Sequence, residues 1–175
     1  MAIIPFRRQT HASDEKAVAE LFDHHAASLR LFAASVIDDR SAADDAVQQA
    51  FFSLLRHGLA KVEEPKSYLY RAVRNAALNL GRTETRERHK RDAFADQPRR
   101  LFDEPREPAD ELDALNQAMD ALNPDQREVV VLKVWGGLTF AEIAKTLGIP
   151  PNTAASRYRY GIARLKEAMG KNDED

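Results

Sequence analysis

The stretch that most constrains the fold covers residues 138–165 and reads LTFAEIAKTLGIPPNTAASRYRYGIARL. Thr139 is placed to cap a first short helix, with Glu142 three residues later as the second half of a capping box. Gly148 then provides a turn, and the two prolines that follow Ile149 prevent the first helix from continuing. The stretch therefore predicts two short helices joined by a tight turn.

The second of these helices, which Asn152 or Thr153 can start, has two chemically different sides. Its packing side consists of Ala154, Tyr158, Gly161 and Leu165. Its other side carries Ser156, Arg157, Arg159, Tyr160 and Arg164. Because the DNA major groove admits one helix whose polar side chains reach phosphates and base edges, this pattern predicts a DNA-binding unit. The alternative is a helical hairpin whose basic side is only solvated.

The charge is divided along the chain, although the net charge is only −2 and the isoelectric point about 6.2. Residues 66–100 hold ten basic and four acidic side chains, a net charge of +6. Residues 101–128 hold nine acidic and two basic side chains, a net charge of −7, and residues 138–171 return to +4. Segregated charge can be a solvated surface, but two basic blocks favour two contacts with one polyanion.

Composition and motifs exclude several classes of protein. The chain has no cysteine, which excludes a disulfide framework and cysteine-based zinc sites. It shows neither a signal-peptide core nor an apolar run of roughly 20 residues, so we expect a soluble, cytoplasmic protein without membrane insertion. Because no Gly-rich phosphate loop, nucleophile elbow or zinc spacing is present, we predict that the protein is not an enzyme and binds no cofactor or metal.

The first long helix is predicted over Glu15–Ile37, because apolar residues recur there at steps of three and four. These residues include Val18, Leu21, Phe22, Leu29, Phe32 and Val36. His24 and His25 invite a metal interpretation, but a histidine at the edge of the core is the expected role.

Ser41 is predicted to cap a second helix, which runs from Ala42 to about His57. The inward side of this helix carries Val47, Phe51, Leu54 and Leu55. Its other side shows Asp45, Gln48, Gln49 and Phe52. An aromatic residue beside a carboxylate and two amides suits a partner-binding surface. Taken singly, the carboxylate can merely complement the helix dipole, and Phe52 can be half-buried core.

A third helix is predicted over residues 67–82, SYLYRAVRNAALNLGR. At 100° per residue its apolar side comprises Leu69, Ala72, Val73, Ala76, Ala77 and Leu80. Its polar side comprises Arg71, Arg74, Asn75, Asn79 and Arg82. Interleaved arginine and asparagine fit phosphate and base contacts better than a solvated Lys/Glu side would. Leu78 falls within the polar side, where it can touch a base or sugar or be covered by a neighbouring element.

A domain boundary is predicted in the charged, proline-containing segment after Thr83, whose first dozen residues can extend the third helix. The next apolar helix is defined by Leu112, Leu115, Met119 and Leu122. Asn123 caps the helix after it, which has proline at its first position. The predicted fold is all-α, with two small helical domains at 14–92 and 110–170 joined by a flexible charged linker at 93–109.

In this order the parts resemble a bacterial sigma factor of the extracytoplasmic-function (ECF) type, within the sigma-70 family. The segment ADDAVQQAF at 43–51 looks like the family's polymerase-binding helix, in which an acid, a glutamine and an aromatic residue recur. The segment YLYRAVRNAALNLGR at 68–82 resembles the helix that opens and reads the minus-10 promoter element. Residues 122–157, with the helix-turn-helix, resemble the domain that reads the minus-35 element. The resemblance covers about residues 21–168.

Pattern and resemblance together give two sets of candidate site residues. The polymerase-binding set is Asp45, Gln48, Gln49, Phe51 and Phe52. The DNA-binding set is Arg71, Arg74, Asn75, Asn79 and Arg82 in the first domain, and Asn152, Thr153, Ser156, Arg157 and Arg159 in the second. At Ala154, Ala155 and Tyr160 the sequence departs from the family's usual valine, basic residue and arginine, so an unusual promoter sequence is expected.

The resemblance implies a dissociable subunit that binds core RNA polymerase and directs initiation at promoter DNA, with an anti-sigma factor as a candidate regulator. Two alternatives remain from the residues themselves. A stand-alone helix-turn-helix repressor or activator would bind duplex DNA without polymerase. A helical adaptor would bind only proteins, and its basic sides would merely be solvated.

Overall fold

The computed structural model describes residues 12–37, 39–88 and 109–172. They form the helices α1 (Ala12–Val36), α2 (Arg40–His57), α3 (Pro65–Arg88), α4 (Ala109–Asp120), α5 (Pro124–Val134), α6 (Phe140–Leu147) and α7 (Pro151–Asn172), with a short 3-10 helix at Leu59–Lys61. The described ranges contain no strand, which confirms the all-α prediction. None of the helices in these ranges has both the length and the apolar character needed to cross a membrane.

The first domain packs α1, α2 and α3 against one another along their apolar sides. The ring of Tyr70 on α3 meets the ring of Phe32 on α1 edge to face, with 5.6 Å between the centroids. The Tyr70 hydroxyl donates a hydrogen bond to Ser28 Oγ at 2.9 Å, and burial raises the pKa of Tyr70 above its usual value. The predicted inward sides of α1 and α3 are confirmed by this core.

The start of α2 differs from its prediction. The helix begins at Arg40, and its N-cap is Asp39, whose carboxylate accepts a hydrogen bond from Ala42 N at 3.0 Å. Ser41 therefore lies inside the first turn and does not cap the helix. Asp39 and Ser41 are both good N-cap residues, so the sequence offered two starts, and the earlier one is adopted.

The second domain contains the predicted helix-turn-helix as α6 and α7. Thr139 Oγ1 accepts a hydrogen bond from Glu142 N at 3.2 Å, and Glu142 Oε2 accepts one from Thr139 N at 2.7 Å. Gly148 then adopts a left-handed conformation (φ 69°, ψ 36°) that turns the chain at the end of α6. The predicted capping box and glycine turn are confirmed. The second helix starts at Pro151, because the fixed φ of proline suits a first helical position.

The middle of α5, residues 127–132, is buried on every side. Asn123 caps the helix as predicted, by accepting a hydrogen bond from Gln126 N at 2.8 Å. Six consecutive residues, 127–132, are buried, although an amphipathic helix would bury only one stripe. The reason is that α5 packs against α7 and α6 of its own domain and against α1 of the first domain.

The two domains are thus in contact in the described structure. α1 packs on α5, α3 packs on α6, and the buried apolar residues of both domains form one cluster. We call this arrangement the closed conformation. Of the predicted linker at 93–109, residues 93–108 lie outside the described residues, and Ala109 is the first residue of α4.

A close approach of α5 and α7 occurs at Gly161, where an added Cβ would lie 2.9 Å from Val130 Cγ2. We expect Gly161→Ala to lower the free energy of unfolding by about 1–3 kcal/mol, because the added methyl group overpacks this contact. Gly170 of the same helix has nothing within 4 Å of such a Cβ, so Gly170→Ala should be neutral or slightly stabilising. Urea denaturation compares the two variants, and equal effects would contradict the packing argument.

Candidate functional site

The exposed side of α2 carries most of the predicted polymerase-binding set. Asp45, Gln48 and Gln49 are exposed, and Phe52 is the most exposed large apolar side chain in the described ranges, at 66%. Phe51 is different, because it is only 6% exposed and its ring packs on Phe22 at 5.1 Å between centroids. Phe51 is therefore not accessible to a partner in this conformation, and its contact with polymerase stays a prediction. Its side chain lies on the inward side of α2.

A groove of about 860 Å³ lies on the surface between α2 and α3, and residues of both predicted sets line it. Its walls include Gln49 and Phe52 from α2 and Arg71, Asn75 and Asn79 from α3. Tyr68 also lines it, and its hydroxyl is hydrogen-bonded to Ser53 Oγ at 3.0 Å. One side of the first domain thus presents amide, guanidinium and aromatic groups around a single concave surface.

The α3 residues of the DNA-binding set do not all have the same environment. Arg71, Asn75, Asn79 and Arg82 are exposed, as the helical periodicity predicted. Leu78, which interrupts this side, is partly buried. Arg74 is half-buried, because it lies against the second domain. This placement was not visible from the period of α3.

Arg74 forms the best-enclosed ion pair between the two domains. Its Nε donates to Glu128 Oε2 at 2.7 Å, and its Nη2 lies 3.5 Å from Glu128 Oε1. The two side chains are 25% and 10% exposed. A forked guanidinium–carboxylate contact of this kind uses the same donors that an arginine presents to a phosphate.

Two further contacts between the domains are more exposed. Lys66 Nζ, at the start of α3, donates to the carbonyl oxygen of Gly137 at 3.1 Å. Lys145 Nζ on α6 lies 3.8 Å from Glu64 Oε1, with both side chains more than half exposed. Glu128, Lys66 and Glu64 were not among the predicted site residues. A signal for Glu128 did exist, since a carboxylate beside the buried run Val129–Leu132 needs a partner.

The second half of the predicted DNA-binding set lies in the first two turns of α7. Asn152 and Arg159 are exposed, while Thr153, Ser156 and Arg157 are partly exposed. Behind them, Ala154, Gly161 and Leu165 are buried, which confirms the predicted packing side. The polar side of α7 is therefore presented outward on a helix that is anchored along its other side.

Two arginines of α7 have local partners that orient them. Arg157 Nη2 lies 2.6 Å from Asp125 Oδ2, a carboxylate in the first turn of α5. The guanidinium of Arg159 lies over the ring of Tyr160, 5.1 Å from its centroid, and Tyr160 is 59% exposed. The sequence did not single out Asp125, because the contact joins residues that are 32 positions apart.

A buried arginine holds α4 against α5. Arg127 is 4% exposed, its Nε donates to Met119 O at 3.0 Å, and its Nη2 donates to Leu122 O at 3.1 Å and to Asp120 O at 3.4 Å. Carbonyls at the end of a helix have no partner within the helix. Arg127 supplies donors to them and therefore has a structural role. Arg164 of α7 donates to the carbonyl of Ala121 in the same turn, at 3.0 Å, but it is exposed.

The two histidines of α1 have separate local environments. His24 Nδ1 lies 2.7 Å from the carbonyl oxygen of Glu20. The pKa of His25 is lowered chiefly by partial burial and further by the charge of Lys66. In the ranges that the structure describes, no cluster of three or more His, Cys, Asp or Glu residues could hold a metal ion.

The capping box at the start of α6 has a titratable member. Hydrogen bonds from the backbone and the hydroxyl of Thr139 lower the pKa of Glu142. A lowered pKa in the folded state contributes stability above the usual glutamate range, and this contribution is lost as the pH falls through the folded-state pKa.

We therefore expect Glu142→Gln, which can still cap the helix but does not titrate, to reduce the loss of stability in acid. Urea unfolding of both proteins between pH 7 and about pH 3.5 measures the difference. Parallel pH profiles for the two proteins would contradict this role of Glu142.

Two family models match the chain, one to each domain. The sigma-70 region 2 model matches residues 21–87, which span most of α1 to α3. The sigma-70 region 4 model matches residues 112–165, which include the helix-turn-helix. The two domains thus correspond to the two conserved regions of one class of bacterial transcription initiation factor.

Similar proteins of known function indicate which group within this class the chain belongs to. RNA polymerase sigma factor CarQ of Myxococcus xanthus is 29% identical over 161 residues, which are 90% of this chain and 91% of that protein. ECF RNA polymerase sigma factor EcfG of Rhodopseudomonas palustris is 32% identical over 147 residues, 81% of this chain and 79% of that protein. The chain belongs to the ECF group of the sigma-70 family. It is an alternative sigma factor that directs promoter recognition, and its partners are RNA polymerase and promoter DNA.

A solved structure supports the fold. The sigma factor RpoE from Bartonella quintana, crystallised in complex with the anti-sigma factor NepR, superimposes with a TM-score of 0.73. The comparison covers 89% of this chain and 98% of that chain, at 23% identity.

Proposed function

We propose that the exposed polar sides of α2, α3 and α7 have three separate roles in transcription initiation. The exposed side of α2, with Asp45, Gln48, Gln49 and Phe52, docks on core polymerase. The exposed side of α3 captures the minus-10 element through Arg71, Arg74, Asn75, Asn79 and Arg82. The outer side of α7 reads the minus-35 duplex through Asn152, Thr153, Ser156, Arg157 and Arg159.

The observation that carries this proposal is the groove between α2 and α3. It is bordered by residues of the polymerase set and of the DNA set, so a strand that enters it remains next to the polymerase-bound helix. Extruding a base costs a few kcal/mol, and each stacked contact returns about 1–3 kcal/mol. Exposed Phe52 and partly exposed Tyr68 are the aromatic side chains that border the groove.

We also propose that the two domains span residues 14–92 and 110–170, with residues 93–109 as the linker. The protein has no chemistry of its own, because the polymerase carries out RNA synthesis. It works in the cytoplasm, where bacterial DNA and RNA polymerase lie. The Bartonella quintana relative is bound by an anti-sigma factor, and we infer that a partner of the same kind restrains this chain.

Run-off transcription tests the proposed function. Purified core polymerase is given a pool of genomic promoter fragments with either the intact chain or an Asp45→Ala, Gln48→Ala, Phe52→Ala variant. Defined transcripts that need the intact chain are the expected result. Specific DNA binding without any effect on polymerase would indicate the stand-alone regulator, and neither activity would indicate the adaptor.

The α7 assignment has its own prediction. We expect Arg157→Ala to weaken transcription from the promoter so identified, because a lost base contact amounts to about 1–3 kcal/mol of binding free energy. Electrophoretic mobility-shift titrations of the holoenzyme on this promoter and on variants of its minus-35 element measure both the loss and the change in base preference. Lys166→Ala, an exposed basic residue further along α7, is the matched control. If both variants bind all sequences like the wild type, Arg157 does not read bases.

A further inference from the structure

The polar side of α7 carries one large aromatic side chain that the predicted DNA-binding set does not include. Tyr160 is 59% exposed, and among the large apolar side chains of the described ranges only Phe52 is more exposed. A single exposed aromatic residue is common on a protein surface, so exposure alone assigns it no role. The position of Tyr160 on α7 gives the exposure its significance.

Tyr160 lies one helical turn beyond Ser156 and about two turns beyond Thr153, on the same side of α7. Residues four apart on a helix are neighbours, about 6 Å apart along the axis. The helix is anchored directly behind this side, because the adjacent Gly161 is buried against Val130 of α5. A duplex that meets Thr153 and Ser156 therefore also meets the ring of Tyr160.

The ring of Tyr160 is held by its neighbour in the chain. The guanidinium of Arg159 lies over the ring, 5.1 Å from its centroid, and a cation is attracted to the face of an aromatic ring. This contact covers one face of the ring and leaves its other face and its rim accessible. A tyrosine side chain has only two torsions to fix, so a ring already held in this way loses little conformational freedom on binding.

The chemistry of the major groove indicates what such a ring can recognise. The base edges there present hydrogen-bond donors and acceptors, and the apolar group among them is the C5-methyl of thymine. We propose that Tyr160 is a specificity-determining residue whose ring covers the methyl group of one thymine in the minus-35 element. This inference rests on the proposed role of α7 in reading that element, and it adds a preference for thymine that the polar side chains do not supply.

Replacement of single thymines by deoxyuridine tests the proposal, because it removes the methyl group and keeps the base pair. The probe is the promoter found by run-off transcription, with each minus-35 thymine replaced in turn, and mobility-shift titrations use the holoenzyme. One replacement should weaken wild-type binding by about fourfold, the factor that corresponds to burial of one methylene-sized apolar group. Tyr160→Ala should bind the unmodified promoter more weakly and should not respond to that replacement. Tyr160→Phe keeps the ring and should respond like the wild type.

Met169→Ala is the matched control, because Met169 is the other exposed large apolar side chain of α7, at 44%. This variant should keep the wild-type response to deoxyuridine. A wild type that is insensitive to every replacement, or a Tyr160→Ala variant that is as sensitive as the wild type, would overturn the proposal. Weaker binding of Tyr160→Ala to core polymerase with unchanged sensitivity would indicate a protein contact and would overturn it as well.

Two further variants separate this proposal from the proposed function. If Ser156→Ala and Arg157→Ala change the base preference in the minus-35 element while no deoxyuridine replacement has an effect, α7 reads the duplex and the role of Tyr160 fails. If neither variant changes that preference and the replacements have no effect, the assignment of α7 to the minus-35 element fails, and the role of Tyr160 fails with it.

Discussion

Phe52→Ala is expected to weaken the binding of the chain to core polymerase by about 30-fold or more, while leaving its free energy of unfolding nearly unchanged. Phe52 is 66% exposed on α2, between the amide side chains of that face and the groove that leads to α3. Aromatic residues at the centre of an interface commonly contribute 2 kcal/mol or more, which corresponds to this factor. Fluorescence titration of labelled chain with core polymerase measures the affinity.

The neighbouring phenylalanine provides the control. Phe51 is buried and packs on Phe22, so Phe51→Ala should cost about 3–5 kcal/mol of folding free energy through the cavity that it leaves. Urea denaturation should therefore distinguish two phenylalanines that are adjacent in the chain. A stable Phe51→Ala variant that has lost polymerase binding, beside a Phe52→Ala variant that binds normally, would reverse the assignment.

Arg127→Met is expected to lower the free energy of unfolding by about 3–5 kcal/mol, although the substitution keeps much of the side-chain volume. Methionine supplies no donor to the carbonyls of Asp120 and Leu122, and it leaves Met119 O with only its hydrogen bond from Leu122 N. Each buried group left unpaired costs about 1–3 kcal/mol. Chemical denaturation followed by circular dichroism measures the loss.

Arg164→Met is the matched control, because Arg164 donates a single hydrogen bond to the same turn from an exposed position. Its loss should cost about 1 kcal/mol or less. Comparable losses for the two variants would show that burial of Arg127 is not what makes its hydrogen bonds matter. An Arg127→Met variant of normal stability that no longer recognises promoters would falsify its assignment as a structural residue.

Much of the fold follows from short-range rules. The apolar periods predicted α1 and α3, the capping box predicted the start of α6, and Asn123 followed by Pro124 predicted the start of α5. These signals are local, because a cap or a helical stripe is decided by residues three or four positions apart. The error at Ser41 has the same origin, since Asp39, two residues earlier, satisfies the same local rule for an N-cap.

The candidate site was predictable to the extent that it depends on one helix at a time. The helical period of α3 correctly predicted that Arg71, Asn75 and Asn79 are exposed. It also placed Arg74 on the exposed side, although Arg74 is half-buried against a partner 54 residues further along the chain. Phe51 is a different case, because the family resemblance gave it a partner-binding role and the helical period placed it in the core. The structure agrees with the period.

Residues 127–132 of α5 are buried partly because α1 of the first domain covers them. Separation of the two domains would expose to water the side of α5 that packs on α1, and exposed apolar surface promotes non-specific adhesion. With the domains apart, another apolar surface would therefore have to cover that side of α5 to prevent such adhesion.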